Sequence, residues 1–111
     1  MTLATVIAKT RTVLNDGTGS DKYLDATITE AIADAIRHLW SVNPVTRKDD
    51  NGVIVEKIIP SISTDAVPVP DKYLLGLAYY AAARCYEGNI TDTVNVSLAN
   101  GLFQKAAIEF L

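Results

Sequence analysis

Between Leu74 and Tyr86 the chain has almost no polar face. Leu74, Leu75, Leu77, Ala78, Tyr79, Tyr80, Ala81, Ala82, Ala83, Cys85 and Tyr86 are apolar or mostly so, and only Gly76 and Arg84 stand apart. The run is far short of the roughly 20 residues that span a bilayer. A helix apolar nearly all round must therefore be covered by neighbours on more than one side, which makes it the centre of a helical domain. Gly76, Ala78, Ala81, Ala82 and Ala83 are small enough to let a second helix come close. Asp71, after Pro70, marks the start with a carboxylate at the favourable N-terminal end, and Glu87-Gly88-Asn89 marks the stop.

The neighbours are legible on both sides of it. From Thr2 to Leu14, the residues Leu3, Val6, Ile7, Thr10, Val13 and Leu14 recur at helical spacing, with Thr2 as a cap and Asn15-Asp16-Gly17 as a stop. Thr18 to Asp25 reads as a loop, with Tyr23 and Leu24 turned inward. Thr27-x-x-Glu30 has the form of a capping box. It is followed by an apolar face of Ile28, Ala31, Ile32, Ala35, Ile36, Leu39 and Trp40, opposite Glu30, Asp34, Arg37 and His38. Asn43-Pro44 ends that helix, because a residue before proline is driven from the helical region. A fourth helix from Thr93 to Phe110 carries Ala99, Leu102, Phe103, Ala106 and Phe110, with Leu98 at its edge and Gly101 as a point of close packing or bending.

Residues 45 to 70 differ in character. Asn51-Gly52 is a strong hairpin signal, and Val53-Ile54-Val55 with Lys57-Ile58-Ile59 reads as a returning strand. Ser61 to Pro70 reads as an extended edge or arm, with an irregular surface loop as the alternative. The expected fold is mainly α: one domain over residues 1 to 111, a small antiparallel bundle of about four helices with an inserted β-hairpin or extended arm between the second and third.

Composition narrows function by exclusion. A net charge of −3 gives no basic patch for gripping nucleic acid or anionic lipid. Lys9 and Arg11 break the apolar residues near the start, so no targeting segment is read there. One cysteine and one histidine are a poor beginning for a metal site. His38 reads as part of a solvated helix face, although Asp34 lies one turn before it, and Cys85 reads as a buried structural thiol. Asp49, Asp50 and Asn51 lack the rest of a calcium loop, Gly17 and Gly19 lack a phosphate-loop lysine, and Asp21 with Asp25 reads as a carboxylate pair or equally as a flexible acidic loop. No catalytic constellation emerges, so neither catalysis nor a cofactor is expected. Tyr23, Tyr73, Tyr79, Tyr80 and Tyr86 combine apolar area with a hydroxyl, a combination common at interfaces and equally at the rim of a core.

The segment Thr27 to Trp40 with its Asn43-Pro44 ending resembles the head–tail connector proteins of tailed phages, also called adaptor, head-completion or neck proteins. So do the first helix closing in Leu14-Asn15-Asp16, the Pro70-Asp71-Lys72-Tyr73 lead into Leu77 to Arg84, and the last helix with Ala99, Phe103 and Ala106. The resemblance covers both ends of the chain and is weakest in the middle. It implies a structural virion protein at the head–tail interface, present in the host cytoplasm during assembly. There it would form a ring of about twelve copies between the portal and a tail or nozzle protein, through which DNA passes without specific binding. For inter-subunit or portal contact the expected residues are Arg47, Lys48, Asp49, Asp50, Val53, Val55 and Ile58, with Tyr73, Tyr80 and Phe110. The alternative is a small helical protein–protein interaction module or dimeric regulator outside any virion.

Overall fold

The computed structural model describes residues 1–15, 23–48, 51–53, 57–88 and 93–111, the first two of the last stretch by backbone alone. Four helices organise them: α1 (Leu3–Leu14), α2 (Asp25–Val42), α3 (Leu74–Glu87) and α4 (Thr93–Glu109). Short 3-10 turns at Pro44–Arg47 and Asp71–Tyr73 follow α2 and lead into α3.

α3 is central, as its apolar circumference requires, and packs against α1, α2 and α4. Gly76, Leu77, Ala78, Ala81, Ala82, Ala83 and Cys85 are all buried along it. Side-chain pairs give the directions. The Tyr86 hydroxyl donates to Leu14 O at 3.4 Å, while the Met1 amino nitrogen lies 2.9 Å from Asp71 Oδ1, so α1 runs parallel to α3. Asp34 meets Arg84, and Asn43 meets Tyr73, so α2 runs antiparallel to it. Tyr80 packs on Phe103, and Gly76 on Phe110, so α4 does the same.

The local signals for α1 hold. Thr2 caps it, its hydroxyl accepting from Thr5 N, and Asn15 closes it in the left-handed region at φ 55°. The capping box at Thr27 and Glu30 does not form. α2 starts two residues earlier, at Asp25, with Leu24 as a cap residue that makes no side-chain capping bond. Asp25 pairs with Arg11 of α1 and places its own carboxylate in the first turn, where the helix dipole favours it. Leu24, expected to turn inward, is exposed, whereas Tyr23 is buried against Tyr86.

No β-strand or hairpin exists among the described residues; Thr2 and Ala66 form an isolated antiparallel bridge. The expected arm is in its second half a strap across the start of α1. Leu3 N donates to Asp65 O at 2.9 Å, Ala4 N to Ser63 O at 3.0 Å, and Val67 N to Met1 O at 3.0 Å. Leu3 and Ala4 carry helix-start donors that no residue within α1 can satisfy. The extended segment supplies their acceptors, and so pairs with a helix terminus instead of a second strand. Val67 and Val69 then point into the core, and Pro60, just before Ser61, is buried as well. Asp65 folds the strap: its Oδ2 accepts from Ser61 N at 2.9 Å and Ile62 N at 3.1 Å. Those two backbone bonds, Ser61 first, hold its carboxyl below the usual carboxylate range. Gly52 has φ 78°, a backbone shape suited to glycine in a turn, but no returning strand follows it: Val53, Lys57, Ile58 and Ile59 are not in a strand, and Ile54 and Val55 lie outside the described residues.

Candidate docking surface

Asn43, which the sequence marked only as a helix stop, ties three elements together at one end of the bundle. Its side-chain Nδ2 donates to the Tyr73 hydroxyl at 3.0 Å and to Phe110 O at 3.1 Å. Its carbonyl accepts from Thr46 N at 3.1 Å and Thr46 Oγ1 at 2.8 Å, closing the 3-10 turn. The end of α2, the entry to α3 and the end of α4 are thereby locked together.

Around this lock large apolar side chains face solvent. Val42, Val45, Ile108 and Leu111 are between 54% and 93% exposed. Ile58 is exposed too, and Lys57 next to it reaches back to Thr46 O at 3.3 Å. Single exposed hydrophobics are ordinary, but several gathered at one place are the usual mark of a contact surface. Arg47 and Lys48 follow Val45 in and after the 3-10 turn, Lys57 reaches that turn at Thr46 O, and Asp71, Lys72 and Glu109 adjoin Tyr73 and Phe110 in sequence.

Beside the patch, Arg37, Trp40, Ser41 and Arg47 line a surface cavity of about 330 Å³. The Arg47 guanidinium carbon lies over the Trp40 ring, 5.0 Å from its centroid. Trp40 Nε1 and Arg47 Nε are buried and meet no acceptor among the described residues.

The residues expected at an interface divide. Arg47, Lys48, Val53 and Ile58 lie at least partly in solvent. Tyr73 and Phe110 do not: both are core residues, Phe110 only 1% exposed, because α3 and α4 close over them. Tyr80 is half-buried between His38 and Phe103, with centroids at 4.8 and 5.2 Å. Burial raises its hydroxyl above the ordinary tyrosine value, with Arg84 pulling the other way. Asp49, Asp50 and Val55 lie outside the described residues. The signal that the sequence did carry for this end is the exposed apolar set on two helix C-termini, Val42-Val45 and Ile108-Leu111, which periodicity alone merges with the core face.

The candidate chemistry elsewhere resolves into structure. His38 is half-buried and stacked on Tyr80, not part of a solvated face. Asp34, its imagined partner, instead meets Arg84 at 3.3 Å and Arg37 at 3.4 Å. Cys85 is buried, as expected of a structural thiol. Asp25 pairs with Arg11, and Asp21 lies outside the described residues. Among the described residues no group of three or more His, Cys, Asp or Glu side chains is placed to hold a metal, and no helix is long and apolar enough to cross a membrane. Comparison with family models, curated proteins and solved structures finds no match to this chain.

Proposed function

We propose that this protein is a small, non-enzymatic helical interaction module that docks on another protein through the α2–α4 end of its bundle. One observation carries the reading: Val42, Val45, Ile108 and Leu111, all exposed, flank in sequence the two residues joined by the Asn43–Phe110 bond. The basic side chains of Arg47, Lys48 and Lys57 select a partner with an apolar centre and an acidic rim. The test is affinity purification from the cells that make the protein, with the wild type and a Val45→Asp/Ile108→Asp variant side by side. Both sites are exposed, so the variant keeps its helical circular dichroism. A stoichiometric partner held by the wild type and lost from the variant supports the reading; an identical partner set for both rejects it.

A second reading is the connector ring. Its support is the resemblance of the helices, together with a separation of charge along the bundle. Glu30, Asp34 and Glu87 lie toward the end opposite Arg47, Lys48 and Lys57, in company with Arg84. Carboxylates toward one end and cations toward the other suit a heterologous contact, one end meeting the other end of the next copy, which makes a ring where its rotation closes. The arm once expected to reach a neighbour is no part of that support, since residues 63–69 cover their own core. Sedimentation of the isolated chain separates the two readings: salt-sensitive oligomers favour the ring, and a monomer at all concentrations favours docking on a different protein.

A further inference from the structure

Arg37, Trp40 and Ser41 stand at i, i+3 and i+4 on α2, so they share one helix face. The 3-10 turn, held by Thr46 on Asn43, returns the chain so that Arg47 lies over the same face. Each of the four side chains that line the cavity carries a hydrogen-bond donor, two guanidinium groups, an indole N–H and a hydroxyl, beside apolar stems and ring surface. No carboxylate is among the described residues that line it. Trp40 Nε1 and Arg47 Nε are buried without an acceptor among the described residues, an unfavourable state that an incoming acceptor relieves. Arg37 is 61% exposed, and its contact with Asp34, at 3.4 Å, leaves most of its fork open.

We infer that this cavity takes a carboxylate side chain from an acidic, apolar peptide segment of the docking partner, an inference that rests on the docking reading above. The planar guanidinium of Arg47, steadied on the indole, presents two parallel donors to a carboxylate. Arg47 sits on a long stem and is only partly buried, so a modest rotation uncovers its Nε and the indole N–H to the ligand. Val42 and Val45, exposed close by in sequence, receive apolar residues flanking the acid. A phosphate dianion suits the place less well. The cavity lies at the C-terminal end of α2, where the helix dipole is negative and opposes two ligand charges more than one.

Trp40 is the only tryptophan, so its emission reports on the cavity directly. The full chain is titrated with a capped peptide in which glutamate is flanked by leucines, with the glutamine counterpart and inorganic phosphate as separate arms. The expected result is a saturable change in emission with the glutamate peptide alone, weakened roughly tenfold or more in Arg47→Gln and in Arg37→Gln. Arg37 is exposed, so its variant keeps the test open if Arg47→Gln unfolds. Equal saturation by the glutamine peptide or by phosphate, or undiminished binding in Arg37→Gln, overturns the inference. A partner that is lost on Val45→Asp/Ile108→Asp but retained by Arg37→Gln would leave the docking reading standing and remove only this cavity from it.

Discussion

Gly76 lies so close under Phe110 that a Cβ at residue 76 would stand 2.7 Å from the ring Cε1 and 2.9 Å from Cδ1. The same atom would come within 2.9 Å of Glu109 Cβ, so the obstruction involves the body of α4 as well as a ring that can tilt. α4 can approach α3 this closely because the glycine offers nothing to collide with.

Gly76→Ala is therefore expected to destabilise the fold by about 1–3 kcal/mol, since overpacking outweighs any gain in helix propensity near the start of α3. Gly101 is the internal control: nothing lies within 4 Å of a Cβ there, and Gly101→Ala should stabilise by about 1 kcal/mol. Urea denaturation checks both. Loss of the penalty when Phe110→Leu is combined with Gly76→Ala would identify the ring as the obstacle.

Asn43→Ala removes two hydrogen bonds at once and leaves Phe110 O and the Tyr73 hydroxyl without that donor. A cost of about 1–3 kcal/mol is expected. Tyr73→Phe breaks only one of the two and should cost less, about 0.5–1.5 kcal/mol. If the two substitutions cost the same in thermal unfolding, the bond to Phe110 O contributes nothing.

Much of the helical frame was legible before any coordinates. The all-apolar stretch from Leu74 to Tyr86 required a central helix, and it is central; Thr2, Asn43 and Gly88 fall where the helices begin or end. What misled was local pattern without knowledge of partners. Thr27 and Glu30 have capping-box spacing, yet Arg11, fourteen residues upstream of Asp25, helps to set the start of α2. Val53, Ile58 and Ile59 are β-branched, yet none is in a strand; the extended backbone that does pair is Ser63 to Val67, with the start of α1. Asn43 as a three-way lock was invisible, because its partners are thirty and sixty-seven residues away.

The strap makes its own prediction. Val67→Ala and Val69→Ala should each cost about 1–3 kcal/mol, as buried methyl groups are lost. Ile58→Ala and Ile62→Ala, both exposed, should stay within about 0.5 kcal/mol of wild type. A segment acting as a free arm would show no such difference.

Asp65 adds a pH signature. Its carboxyl is held lower in the folded chain than in the unfolded one, by the Ser61 and Ile62 amides. Its contribution is therefore fully present above the unfolded value of about 3.9 and disappears as pH falls through the folded value. Asp65→Ala should lower the melting temperature at neutral pH and flatten its fall below about pH 4. A variant whose acid limb stays parallel to wild type would show that the Asp65 turn contributes nothing to folding.

Docking through the α2–α4 end is the central claim, and a photo-crosslinking residue at position 45 tests it most directly. The same residue placed at Ser97, exposed on α4 away from that end, is the control. Irradiation in the cells that make the protein should give one discrete heavier species from position 45 and none from position 97. Crosslinks from position 97 alone, or equally from both, would contradict the account and move the contact surface elsewhere on the bundle.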